Sequence, residues 1–325
     1  MRHSGVLAII VCLGVLWLGI CSAQDSAPGG PQARPPQRIG VLEAAILGVI
    51  EGLTEYLPVS STGHLILTGQ AMGLTRFSDR QGPLGPLIEP APAINAFEIV
   101  IQLGAILAVL GLYRRRVGQM LAGLIGRSRA GAKLAGLLLV AFLPAAAVGL
   151  ALRDVIETYL FSSPAVSLAL AGGGAAMIAA EYFFWIRKGK QRPVRRLDDV
   201  TFRQALLIGL AQCLSLWPGM SRSMVTIVAA LVVGLDMVAA AEFSFLLALP
   251  TLGAATLYEA ASNWSALQAS AGPEGLVVGL AISALVAAVT VRALVRWLTT
   301  HGLIPFGIYR LLLAGAVYLY FLQAT

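Results

Sequence analysis

From residue 39 onward the chain alternates long apolar runs with short polar connections. Six runs reach spanning length, at approximately 94–113, 133–152, 165–187, 239–260, 275–297 and 303–323. An α-helix needs about 20 apolar residues to cross a hydrocarbon core of about 30 Å. These runs are too long and continuous for barrel strands, and in lipid each segment must satisfy its own backbone amides, so the predicted class is an all-α integral membrane protein.

Two further segments are apolar but interrupted. Residues 41–74 contain Glu51, Glu55, Pro58, the run Ser60-Ser61-Thr62 and His64, and residues 203–234 contain Gln212, Pro218, Ser221, Arg222 and Ser223. Both read as helix, break, helix. Their texts are similar: Gly48-Val49-Ile50-Glu51-Gly52-Leu53-Thr54-Glu55-Tyr56-Leu57-Pro58 aligns with Gly209-Leu210-Ala211-Gln212-Cys213-Leu214-Ser215-Leu216-Trp217-Pro218 with one residue of slippage, and Phe97-Glu98 and Glu242-Phe243 open comparable spans beyond them.

Charge supplies the orientation. Arg114-Arg115-Arg116 with Arg127, Arg129 and Lys133 separate the first two runs, and Arg187, Lys188, Lys190, Arg192, Arg195 and Arg196 follow the third. By the positive-inside rule both connections are cytoplasmic. The connection near residue 160 and the stretch Ser262–Glu274, which has no Lys or Arg, are then external, and Arg292, Arg296 and His301 mark a cytoplasmic turn. With six spans, parity makes the broken segments re-entrant hairpins of opposite direction. Each half, about 39–187 and about 203–323, would be a hairpin followed by three spans, which is an inverted-topology repeat with its polar site where the hairpin tips meet.

Composition agrees with lipid as the solvent: 58% of the 325 residues are hydrophobic, 12% are charged, and the mean hydropathy is +0.81. The net charge of +7 raises nucleic acid as a partner, but the Lys and Arg sit in short clusters between apolar runs, so membrane orientation accounts for it and no nucleic acid is expected. Residues 1–38 read as a signal peptide or anchor plus linker: Arg2, an apolar run Val6–Ile20, Cys21-Ser22-Ala23, then a Pro, Gly and Gln-rich stretch. Were the leader cleaved, Cys213 would be the sole remaining cysteine, leaving no intramolecular disulfide.

The interrupted segments carry the chemistry. After Pro58 and Pro218 the chain resumes helix at hydroxyl residues, so Ser60, Ser61 and Thr62, and likewise Ser221 and Ser223, stand at helix N-termini with free backbone N–H groups. Arg222 adds a cation with planar donors suited to phosphate oxygens, and an intramembrane charge is costly unless it is functional or paired. The plainer alternatives are ordinary caps and an ion pair of Arg222 with Glu55 or Glu51. Glu51 and Glu55, four residues apart, share one helix face, and a divalent cation, Mg²⁺ or Ca²⁺, would reconcile two carboxylates with an anion site; a protonated pair or a proton relay is the competing reading. His64 follows Ser61 by three positions, so both could address one phosphorus.

At these residues the sequence resembles the bacterial undecaprenyl-diphosphatases, also called bacitracin-resistance proteins. Glu51-Gly52-Leu53-Thr54-Glu55-Tyr56-Leu57-Pro58-Val59-Ser60-Ser61-Thr62-Gly63-His64 is similar to the family's first signature and Pro218-Gly219-Met220-Ser221-Arg222-Ser223 to its second. Gln102-Leu103-Gly104, Glu242-Phe243-Ser244-Phe245-Leu246-Leu247 and Ile304-Pro305-Phe306-Gly307-Ile308-Tyr309-Arg310 add to the likeness, which spans roughly residues 39–323. Met224 departs from the family, which usually has Gly there, and the leader is additional.

The resemblance implies hydrolysis of undecaprenyl diphosphate to the monophosphate and inorganic phosphate at the extracytoplasmic side of the bacterial plasma membrane, renewing the carrier lipid for cell-wall synthesis and giving bacitracin resistance. It implies a metal-assisted acidic motif at Glu51 and Glu55, Ser61 as candidate nucleophile, His64 as acid or base, and Arg222 as phosphate clamp. Attack by Ser61, by His64 or by water stays open at this point, as does a homodimer. A transporter or flippase of a phosphorylated polyprenyl lipid is the rival reading, since inverted repeats with broken helices are a transporter architecture.

Overall fold

The computed structural model describes residues 38–82, 85–90, 92–183 and 196–324. The expected leader, through residue 37, and residues 187–195 of the second basic cluster lie outside them. The first half contains α1 (Val41–Thr54), α2 (Ser61–Ala71), β1 (Thr75–Gly82), β2 (Gly85–Pro90), α3 (Pro92–Leu112), α4 (Arg114–Leu124), α5 (Arg129–Ala151), α6 (Arg153–Leu160) and α7 (Ser163–Glu181). The second contains α8 (Phe202–Gln212), α9 (Arg222–Val232), α10 (Met237–Ser262), α11 (Trp264–Ser270), α12 (Pro273–Leu298) and α13 (Ile304–Ala324).

Among the described residues five helices are long and apolar enough to cross a membrane: Asn95–Leu112 of α3, then α5, α7, α10 and α12. All coincide with apolar runs expected from the sequence, and α13 continues the pattern with an apolar stretch over Ile304–Leu319. Three short helices, α4, α6 and α11, occupy connections that periodicity alone does not mark. Among the described residues an antiparallel ribbon of β1 and β2 departs from helix, pairing Arg76 with Glu89, as does an isolated bridge of Ile39 with Ala271. The ribbon falls in the Pro- and Gly-containing connection between α2 and α3, where prolines withhold amides from a helix.

Several helix starts are capped locally. Ser128 accepts from the Gly131 amide (3.0 Å) and Asp236 from the Ala239 amide (2.7 Å). At α8, Thr201 accepts from the Gln204 amide while the Gln204 side chain accepts from the Thr201 amide, so the donors exposed by the first turn are satisfied reciprocally. Both broken segments end their first helix near a proline. Trp217, which precedes Pro218, is extended (φ −79°, ψ 116°), because proline disfavours the α conformation in the residue before it.

The packing is reciprocal between the halves. α1 lies against α12, and α8 lies against α5; α3 contacts α12, and α10 contacts α5. Small residues permit these approaches. A Cβ on Gly48 would sit 2.8 Å from the Gly279 carbonyl oxygen of α12, and one on Gly209 would overlap the Ala141 carbonyl of α5. Lipid offers no hydrophobic drive for helices to associate, so close backbone contact through small residues does that work. Tyr56, Leu57 and Val59 of the first break lie in one buried cluster with Met224, Ile227, Phe243 and Phe245 of the second half, which locks the breaks together deep in the bundle. Gly48→Ala and Gly209→Ala should each destabilise the folded protein by about 1–3 kcal/mol through overpacking, read as a lower midpoint of thermal unfolding in detergent. Unchanged midpoints in both variants would mean that these helices are not held at backbone contact.

Candidate active site where the broken segments meet

Ser60 and Ser221 are the two non-glycine residues with positive φ among the described residues, at 77° and 71°. Both are N-caps. Ser60 accepts from the Gly63 amide at 3.4 Å and Ser221 from the Met224 amide at 3.3 Å. A left-handed serine costs on the order of 1–3 kcal/mol and persists only where surrounding contacts fix it. The same strained cap on both breaks leaves Ser61 and Arg222 in equivalent positions, each opening the second helix of its segment.

These two residues converge on one carboxylate. Ser61 Oγ donates to Glu55 Oε2 at 2.7 Å, and Arg222 Nη2 donates to Glu55 Oε1 at 2.7 Å. Arg222 Nη1 donates to the Ser244 carbonyl at 3.1 Å, and its guanidinium carbon lies 5.6 Å from the centroid of the Tyr56 ring, in the range of a cation–π contact. The breaks are stitched by Ser223 Oγ donating to the Leu57 carbonyl at 2.9 Å, with Ser221 and Ser223 hydroxyls 3.1 Å apart. Glu55 and Arg222 are buried, whereas Ser61, Thr62 and Ser221 remain half-exposed, so these residues are more accessible than the charges they accompany.

The other expected site residues are placed differently. His64 is buried with both ring nitrogens engaged: Nδ1 lies 2.7 Å from the Ser60 carbonyl oxygen and Nε2 lies 2.6 Å from the Tyr309 hydroxyl. Glu51 is buried one turn before Glu55, and its Oε1 has no hydrogen-bond partner. Arg222 therefore pairs with Glu55 and not with Glu51. Among the described residues no three His, Cys, Asp or Glu side chains gather closely enough to hold a metal by themselves. With one oxygen unpartnered, Glu51 is a hard oxygen donor of the kind that Mg²⁺ or Ca²⁺ would take.

Sequence reasoning gave no role to Tyr56, Ser244, Tyr309 and Arg310. Arg310 is fully buried, and its Nη2 donates to the Ala169, Gly219 and Met220 carbonyls at 3.1, 2.9 and 3.1 Å. An arginine inside an apolar run is itself a signal, so Arg310 was discoverable on the same ground as Arg222. Tyr56 and Tyr309 read as ordinary aromatics of apolar segments, and nothing in their spacing shows that Tyr56 meets the Arg222 guanidinium and Tyr309 the His64 ring.

Comparison with known proteins covers this whole arrangement. The family model described as "Bacitracin resistance protein BacA" matches residues 44–316, a span that includes both breaks and Tyr309-Arg310. The chain is 47% identical over 276 residues to the undecaprenyl-diphosphatase of Sorangium cellulosum, covering 85% of this chain and 84% of the relative. It is 44% identical over 272 residues to undecaprenyl-diphosphatase 2 of Rhodospirillum rubrum, covering 83% and 91%. To the undecaprenyl-diphosphatase of Ectopseudomonas mendocina it is 42% identical over 269 residues, covering 83% and 90%. With the match running through both strained tips and the helices that carry them, the chain belongs to the bacitracin resistance protein BacA family.

Proposed function

We propose that this protein hydrolyses undecaprenyl diphosphate to undecaprenyl phosphate and inorganic phosphate, the activity for which its relatives are named, and so returns the carrier lipid to cell-wall synthesis. The observation that carries the reading is the Ser61–Glu55–Arg222 arrangement: a half-exposed hydroxyl donating to a buried carboxylate that is neutralised by a guanidinium from the opposite break. Phosphoryl transfer asks a protein for an aligned attacking oxygen, an acceptor for its proton and positive charge around the phosphoryl group. Ser61 supplies the oxygen and Glu55 the acceptor. The positive charge comes from Arg222, together with the free first-turn amides of α2 and α9.

These placements support the following step. Ser61 Oγ attacks the terminal phosphorus, its proton passes to Glu55, and the bridging P–O bond breaks to release undecaprenyl phosphate. Water then adds to the phosphorus, the Oγ–P bond breaks, Oγ recovers its proton from Glu55 and inorganic phosphate leaves. Ser60, Thr62, Ser221 and Ser223 belong to the same two tips and are the remaining phosphate-binding candidates, Ser60 and Ser223 from buried positions. Glu51, with its unpartnered oxygen, is the residue that would hold Mg²⁺ or Ca²⁺; a bound cation would supply charge neutralisation for the phosphoryl group.

The placement in the membrane is part of the same reading. α1, α2, α8 and α9 contain 14, 11, 11 and 11 residues, lengths of about 16–21 Å against a core of about 30 Å. Short paired helices and the reciprocal packing of the halves support two re-entrant hairpins of opposite direction within six spans. The reciprocal packing equally supports an inverted repeat, and the distribution of Lys and Arg between the apolar runs supports a polar centre that opens to the extracytoplasmic side of the plasma membrane. Purified protein in detergent should release phosphate from a polyprenyl diphosphate, because hydrolysis needs no membrane barrier; substrate movement across vesicles with no phosphate release would favour the transporter instead.

Excess chelator and Glu51→Gln should each cut phosphate release severely while the purified protein stays folded. Full activity under both conditions would remove the cation from the scheme. Ser61→Ala should lower kcat by roughly a hundredfold or more, and wild-type protein quenched during turnover with labelled substrate should carry phosphate on the peptide containing Ser61. Retained turnover with no labelled serine would assign the attack to water.

A further inference from the structure

Tyr309 and Arg310 are consecutive on α13, yet each reaches a different break. Tyr309 meets His64 Nε2 at 2.6 Å, and His64 Nδ1 meets the Ser60 carbonyl at 2.7 Å. A carbonyl oxygen can only accept, so Nδ1 carries the proton. In the neutral ring Nε2 is then the acceptor, and it accepts the Tyr309 O–H. Ser60 is the left-handed residue directly before Ser61. On the other break, Arg310 Nη2 donates to the Gly219 and Met220 carbonyls, the two residues directly before left-handed Ser221 and then Arg222. Gly173 leaves room for this guanidinium, since a Cβ there would overlap it.

We propose that Tyr309 and Arg310 are a positioning pair. Tyr309, acting through His64, clips the backbone of the first strained tip and so aims Ser61, and Arg310 clips the second and so aims Arg222. This rests on the diphosphatase reading of Ser61 and Arg222. In it His64 serves as a hydrogen-bond donor to backbone and not as the group that takes the proton of the attacking oxygen, a task for which Glu55 already stands at 2.7 Å from Ser61. One helix thereby sets the register of two tips that come from opposite halves of the chain. A strained serine needs such an external hold, because its own cap bond, at 3.3–3.4 Å in both tips, is long for a hydrogen bond.

The test uses substitutions that separate geometry from proton transfer. Asparagine can place an N–H near the position of Nδ1 but has no titratable nitrogen. His64→Asn should keep phosphate release within about tenfold of wild type, whereas His64→Ala should lose far more. Tyr309→Phe, which removes one hydrogen bond, should lower kcat about tenfold with KM little changed, and Arg310→Lys should retain more activity than Arg310→Met. Equal inactivity of folded His64→Asn and His64→Ala would overturn the clip and make His64 a proton-transfer residue. Independently of catalysis, ¹⁵N spectra of histidine-labelled protein should show His64 neutral with Nδ1 protonated; the chain has three histidines, so His64→Asn assigns the signal. The opposite tautomer, or a cationic ring, would contradict the proposal even in an inactive preparation. Absence of phosphate release from the wild type would instead count against the diphosphatase reading.

Discussion

A carboxylate and a guanidinium 167 residues apart in the chain face each other at 2.7 Å inside the bundle, with side chains only 6% and 8% exposed. Removing two charges from water is expensive, and their mutual attraction offsets that cost only where the geometry is good and the remaining donors and acceptors are met. Here most of them are. The second Glu55 oxygen takes the Ser61 hydroxyl, Arg222 Nη1 takes the Ser244 carbonyl, and the Tyr56 ring lies over the cation. Deleting either charge would strand the other in an apolar interior. The pair therefore specifies that the two breaks must meet, and every other feature of the site depends on that meeting.

The surrounding structure works to hold an arrangement that local preference opposes. Left-handed serines, helices broken at depth and an unpartnered carboxylate oxygen at Glu51 all carry a cost. What offsets it is the scaffold: glycine-mediated contact of α1 with α12 and of α8 with α5, a continuous apolar cluster around Tyr56 and Phe245, and α13 reaching both tips. Irregular backbone in an apolar surrounding is tolerated where protein buries it or where it lines a polar cavity; the first break, from Glu55 to Ser60, is buried throughout, and the second is buried or half-buried apart from the exposed Leu214.

Much of this was legible in the sequence because lipid imposes strict rules. Apolar runs had to be helices, and the runs containing Pro58 and Pro218 had to break, so the helix boundaries at Thr54, Ser61, Gln212 and Arg222 follow from residues visible in the chain. Ser60 and Ser221 read as caps and are caps. The choice of Glu55 over Glu51 as the partner of Arg222 was not legible, since both lie on one helix face and only the tertiary approach of α9 discriminates them. The orientation of His64 was hidden for a similar reason: its spacing from Ser61 suggests a shared target, but the ring is captured by Tyr309, 245 residues away. The ribbon of β1 and β2 escaped because its segment carries no clear alternation of apolar and polar residues.

The most direct test of the central claim, that Glu55 and Arg222 act as one unit in assembling the site, is a double-mutant cycle on phosphate release with Glu55→Gln, Arg222→Gln and the two combined. Groups that act together are non-additive. The account predicts that each single substitution removes nearly all activity and that the double variant is little worse than either. Losses that multiply, with the double variant falling by the product of the two single effects, would show that the carboxylate and the guanidinium act separately and would contradict it.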